Sequence, residues 1–174
     1  ANPDEALIIA NRARELGFSS TVGVIHDGDG LLKGLTPREK EVYKEIKEIG
    51  VPDISMEVMG NDLEMYDEGI RLYEKFGNVA TIKVPCTVQG LLACKNISDY
   101  DVSVNVTLVF NTAQAILCAK AGADYVSPFV GRVDDNGFSG IGLISDIAST
   151  FKQFRDNGNW FYAKILSASL RDAK

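Results

Sequence analysis

Residues 102–130 read VSVNVTLVFNTAQAILCAKAGADYVSPFV, and this stretch decides the fold. Val102–Phe110 is rich in β-branched residues and predicts a buried strand. Thr112–Ala121 predicts a helix, which Gly122 ends. Asp124–Val130 returns to strand composition. A strand, a helix and a second strand joined by short connections predict a right-handed parallel βαβ unit.

The same alternation extends in both directions. Toward the N-terminus, the pattern predicts a helix over Pro3–Leu16, a strand over Ser20–Ile25 and a Gly-rich loop, HDGDGLLKGL, over residues 26–35. Thr36, Pro37 and Glu39 then read as an N-cap, a first-turn proline and a capping-box glutamate. That helix runs to about Ile49 and stops at Gly50. Asp53–Met59 is a strand, Asp62–Phe76 a helix, Val79–Val84 a strand and Thr87–Ile97 a helix. Toward the C-terminus, Ile141–Phe154 is a helix and Trp160–Ser167 a strand. Six strands joined by helices predict an α/β chain. The expected architecture is a single (β/α) barrel-like domain of the TIM type. It is an incomplete barrel, because a full one needs about 200 residues or more. A doubly wound open sheet is the alternative.

The composition narrows the function. With 45% apolar and 24% charged residues among 174, the chain suits a globular domain with its own core. The net charge is −6 and no long run carries one sign, which argues against nucleic acid and anionic membrane as partners. No stretch is long and apolar enough to span a bilayer. The opening residues, ANPDEALIIANRARELG, read as an amphipathic helix rather than a signal peptide. Three cysteines, Cys86, Cys94 and Cys118, form no close pair in sequence and read as free thiols in a reducing cytoplasm. With one histidine, a zinc site is not expected. No cofactor is expected.

Polar residues interrupt the strands where a parallel sheet would be apolar. They are Glu57, Lys83, Asn105 and Thr107, and Ser127. Asn105 and Thr107 share a face, as do Ser127 and Phe129. Arg132 and Arg171 follow the last two strands. In α/β folds the C-terminal strand ends hold the active site. A lysine held in a core loses solvation and becomes a better nucleophile toward a ketone. A carboxylate moves protons through a water that a hydroxyl places. Two arginines suit a sugar phosphate. Each residue also has a plain reading. Glu57 can simply pair with Lys83, Asn105 and Thr107 can be satisfied core groups, and the arginines can be solvated.

Three segments carry a family resemblance: TIKVPCTVQGLLACK (81–95), VNVTLVFNTAQAILCAKAGADYVSPFVGRVDD (104–135) and ILSASLRD (165–172). They resemble the small transaldolases over residues 52–174. The resemblance implies a (β/α) barrel that moves a dihydroxyacetone unit between sugar phosphates without a cofactor. It implies that Lys83 forms a Schiff base and that Glu57 and Thr107 manage the catalytic water. It places Asn105, Ser127, Phe129, Arg132, Ser169 and Arg171 along the substrate, the arginines on its phosphate. It further implies a cytoplasmic homo-oligomer of the pentose phosphate pathway. The related fructose-6-phosphate aldolases carry Gln and Tyr where this chain has Glu57 and Phe129, which favours transfer over simple cleavage. A barrel that only binds sugar phosphate is the remaining alternative.

Residues 1–49 depart from that pattern. The family's opening strand with its aspartate, and its TTNP strand end, are absent as such. Only Asn2-Pro3 matches a fragment of the latter. ARELGFSSTVGVIHDGDGLLKGL (13–35) instead resembles a segment of radical-SAM barrel proteins of the hopanoid type. The cysteine triad that would bind an iron–sulfur cluster is missing, so that chemistry does not transfer. Asp27, beside His26 at the end of the first strand, is the candidate substitute for the family's aspartate.

Overall fold

A computed structural model describes residues 3–15, 21–24, 37–50, 53–159 and 161–171. His26, Asp27, the Gly-rich loop, the Thr36 cap and Trp160 lie outside the described residues. The chain divides into two compact units, Ala1–Lys83 and Val84–Lys174, and each is described by itself.

The first unit contains α1 (Pro3–Glu15), β1 (Thr21–Val24), α2 (Pro37–Glu48), β2 (Asp53–Glu57), α3 (Asp62–Phe76) and β3 (Ala80–Pro85), with the division falling inside β3. The strands β1, β2 and β3 are parallel neighbours in that order. α1 packs on α2 and β1, burying Ala10, Val42 and Ile46 completely. Val42 and Ile46 are one turn apart on a mostly charged helix, and their buried stripe helps to hold α2 down. Gly50 terminates the chain's turn after α2 with φ +83°, a left-handed value that suits glycine. α3 has a complete capping box, in which Asn61 accepts from the Glu64 amide and Glu64 accepts from the Asn61 amide. Its buried residues Met65, Glu68, Leu72 and Phe76 recur at helical spacing. Burying each large apolar side chain contributes about 1.5–3 kcal/mol.

The second unit continues with α4 (Val88–Ser98), β4 (Val104–Val109), α5 (Thr112–Lys120), β5 (Tyr125–Pro128), α6 (Val130–Asp135), α7 (Gly140–Asp156) and β6 (Lys164–Ile165). β5 pairs in parallel with β4 and with β6. Thr87, Asn111 and Ser139 cap α4, α5 and α7 through their side chains. Each lies a short distance beyond a strand or turn, so the chain reverses with its orphan amides satisfied. Phe161 packs against both Phe151 and Phe154 at the base of α7.

Several strand bounds are shorter or shifted against the sequence expectation, as in β2, β3 and β4, and two differences are larger. The strand expected to run to Val130 ends at Pro128, and a six-residue helix, α6, follows at once. The last strand is two residues long rather than the eight of Trp160–Ser167. Its pairing nonetheless persists, because Leu166 and Ala168 amides donate to Val126 and Pro128 carbonyls and Phe129 bridges Ala168. The curled backbone keeps the ladder without keeping regular strand geometry.

Candidate active site

In the first unit β2 and β3 each carry one polar face and one apolar face. Ile54, Met56, Val58, Ala80 and Ile82 are fully or almost fully buried. Between them on the other face stand Asp53, Ser55 and Glu57 on β2, and Thr81 and Lys83 on β3. The polar positions therefore alternate along the whole strands and are not confined to their ends. The spacing of Asp53, Ser55 and Glu57 in the sequence carried this signal. Thr81 Oγ1 donates to Asp53 Oδ2 at 2.7 Å.

Glu57 and Lys83 are register partners across the β2–β3 ladder. Lys83 Nζ donates to Glu57 Oε2 at 3.1 Å, with side chains only 15% and 16% exposed. Of the readings open for Glu57, the ion pair is therefore realised in geometry. It does not conflict with proton transfer, since a carboxylate at hydrogen-bond distance from an amine is placed to take its proton.

In the second unit, Ser127 Oγ donates to Asn105 Oδ1 at 2.8 Å, both residues fully buried. Thr107 is also buried, and its Oγ1 has no hydrogen-bond partner among the described residues. A buried hydroxyl without a partner is costly, and it marks a position suited to a further polar group. The register between β4 and β5 shifts between Val106 and Val109, and Leu108 takes φ +61°. This bulge turns Leu108 outward while Thr107 and Val109 stay buried.

Phe129 stacks edge-to-face on Phe110, with ring centroids 5.7 Å apart. Beyond it, Gly131 N donates to Ser169 O at 3.1 Å. A Cβ at residue 131 would stand 2.1 Å from that oxygen, so only glycine permits this approach. The approach brings α6 beside Ser169 and Arg171. Arg171 Nη2 contacts Asp135 Oδ2 at 2.6 Å, and Arg171 Nη1 contacts Ser169 Oγ at 3.3 Å. The Asp135 carboxyl is held below the usual carboxylate range by the hydrogen bond from Arg171, with the Arg171 and Arg132 charges assisting against slight desolvation. Asp135 was not singled out from the sequence. Its signal was the GRVDD stretch, whose acidic end lies close to the basic residues it serves. Arg132 is exposed and lines a cavity of about 600 Å³ with Phe110, Asn111, Val133, Phe138 and Leu143.

The structure thus joins Glu57 with Lys83, Asn105 with Ser127, and Ser169 with Arg171. The three cysteines are free thiols, but Cys86 and Cys118, read as unpaired from their spacing, lie with sulfurs 3.6 Å apart. Among the described residues no group of three His, Cys, Asp or Glu side chains is placed to hold a metal ion. No described helix is long and apolar enough to cross a membrane.

Parallel strands alternating with helices, and polar groups on one face of β2 and β3, define an α/β protein, and the (β/α) barrel class comes with the family whose model matches the chain. The family model for Transaldolase/Fructose-6-phosphate aldolase matches residues 36–174, and the chain belongs to that family. The match begins earlier than residue 52, to which the sequence motifs alone reached. Curated relatives agree. A probable transaldolase of Nitrosopumilus maritimus is 44% identical over 153 residues, covering 82% of this chain and 67% of the relative. One of Anaeromyxobacter dehalogenans is 45% identical over 133 residues, covering 76% and 58%. One of Sphingopyxis alaskensis is 41% identical over 152 residues, covering 82% and 68%. The chain therefore spans between 58% and 68% of the length of these relatives.

Proposed function

We propose that this chain carries the imine chemistry of a transaldolase, transferring a dihydroxyacetone unit between sugar phosphates through a Schiff base on Lys83. The observation that carries the reading is the cross-strand pair of Lys83 and Glu57 on a polar strand face, 3.1 Å apart and largely shielded. The ammonium must lose a proton before it attacks a ketone carbon, and Glu57 is its nearest base. Attack followed by loss of water gives an iminium. The iminium accepts the electron pair of the C–C bond one carbon removed as that bond breaks, while the hydroxyl on the departing carbon gives its proton to a carboxylate or water base and becomes the aldehyde carbonyl. The aldehyde half departs, and the enamine then adds to an acceptor aldehyde. Hydrolysis frees the lysine.

The roles proposed for the second unit rest on the resemblance to the family. Thr107 holds the water that relays protons, and its partnerless hydroxyl supports that role. Asn105 and Ser127 bind the dihydroxyacetone hydroxyls, and Phe129 lines the pocket. Arg132 and Arg171 hold the phosphate, with Ser169 orienting Arg171. The reaction needs neither metal nor organic cofactor and is assigned to the cytoplasm. Glu57 and Phe129 favour transfer over release of free dihydroxyacetone.

The test is borohydride reduction with fructose 6-phosphate, followed by intact mass. A stable adduct on the native chain that vanishes in Lys83→Ala supports the reading. Absence of an adduct while the sugar phosphate still binds refutes it in favour of a binding module. Adding an acceptor aldose phosphate separates transfer from cleavage, since an aldolase releases dihydroxyacetone with or without the acceptor.

A further inference from the structure

Cys86 lies in the turn directly after β3, half-buried, and Cys118 lies buried in the last turn of α5. They are 32 residues apart in sequence, yet the Cys118 thiol donates to the Cys86 sulfur at 3.6 Å. The turn that carries Cys86 is closely held. The Cys86 amide donates to Thr107 O at 2.8 Å, the Thr87 amide to Pro85 O at 2.8 Å, and a Cβ on Gly90 would meet Pro85 O at 1.9 Å. The two sulfurs are thus kept facing each other by backbone that has little room to drift. Bond formation would close the two sulfurs from 3.6 Å to a bond length of about 2.0 Å.

We propose that Cys86 and Cys118 are an oxidation site, forming an intramolecular disulfide when the protein meets a hydroperoxide. The Cys86 thiolate attacks one peroxide oxygen and the O–O bond breaks. The second oxygen leaves as water or an alcohol after taking a proton, and Cys86 becomes a sulfenic acid. The Cys118 sulfur then attacks the Cys86 sulfur. The S–O bond breaks, and the departing hydroxide leaves as water with the Cys118 proton. Two thiols lose two electrons and two protons, and the peroxide is reduced. The division of labour fits the environments. The hydrogen bond from Cys118 holds the Cys86 thiol below its ordinary value against the opposing effect of burial, and Cys86 is the more exposed of the two. Cys118 is pushed up by giving that bond and by burial, so it resolves rather than initiates. Cys94 takes no part. It is fully buried, and its thiol is pushed up to about 12 by burial, with Asp124 adding to the effect.

The experiment treats the whole chain with hydrogen peroxide, then counts thiols after denaturation and maps peptides without reduction. The expected result is a fall from three free thiols to one, an intact mass lower by two hydrogens, and a peptide joining residues 86 and 118. Dithiothreitol restores all three thiols. Cys94→Ser still forms the link and Cys86→Ser does not. Oxidation of the chain in denaturant supplies a control independent of folding of the variants. Cys94 is nearer to Cys86 along the chain, so an unfolded chain favours an 86–94 link by loop closure. The proposal is overturned if the folded chain shows that same preference, if Cys86 advances to sulfinic acid beside an unreacted Cys118, or if the disulfide joins two chains.

Discussion

Glu57 and Lys83 are direct partners in the parallel register of β2 and β3, and their charged ends meet at 3.1 Å on a face shared with Asp53, Ser55 and Thr81. Neither charge is well solvated, so each depends on the other. Lys83→Met leaves a shielded carboxylate without a counter-charge, and Glu57→Leu leaves a shielded ammonium. Each single change is expected to cost about 3 kcal/mol. The double variant is expected to return to within about 1 kcal/mol of the parent, because the apolar pair needs no compensation. Denaturant unfolding of the four proteins checks this, and additive losses would contradict it.

Glu57→Gln separates the proton step from imine formation. The amide keeps a hydrogen-bond acceptor near Lys83 but cannot take its proton. Turnover is expected to fall by about 10² or more, while borohydride still traps an adduct slowly. A variant that turns over at the parental rate would remove Glu57 from the chemistry.

Thr107→Val distinguishes a structural hydroxyl from a working one. Its Oγ1 is buried without a partner, so replacing it with a methyl group is expected to leave stability within about 1 kcal/mol of the parent, or slightly above it. Turnover is expected to fall about a hundredfold. A large loss of stability with normal turnover would reverse the assignment.

Asp135 competes with any phosphate for Arg171. Asp135→Asn is expected to tighten binding of inorganic phosphate, measured by calorimetry at low salt, since the arginine fork is released and a repelling charge removed. The pair also sets a pH dependence. The folded carboxyl titrates lower than the unfolded one, so its contribution is complete above the unfolded value and fades as pH falls through the folded value. The stability difference between parent and Asp135→Asn is expected to be complete above about pH 4, to shrink as pH falls further and to vanish only below the lowered value of the folded carboxyl. With side chains 52% and 51% exposed, added salt should shrink it throughout.

Gly131→Ala tests the contact that sets α6 beside Ser169. The added Cβ would meet Ser169 O at 2.1 Å, so the backbone must move. A cost of about 1–3 kcal/mol is expected, together with weaker phosphate binding. Unfolding curves and the same calorimetry report both, and an alanine variant indistinguishable from the parent would show that the approach is dispensable.

The amino-acid sequence alone dictated the alternation of strands and helices, because strand composition, helical spacing and caps are local. The helix Asp62–Phe76 and the starts of α4 and α5 fall where those signals place them. It also determined which residue types occupy the strands, including Lys83, Glu57, Asn105 and Thr107. What it left undecided was partnership. Register made Glu57 the neighbour of Lys83, a bulge at Leu108 kept Thr107 inward, and the close approach of Gly131 to Ser169 gave Arg171 an aspartate that the strand pattern did not reveal. The cysteines show the same limit, since residues 32 apart meet at 3.6 Å. Periodicity is a property of neighbours along the chain, and it fixes where a side chain points. Which group it meets depends on contacts between distant segments, and only tertiary packing sets those.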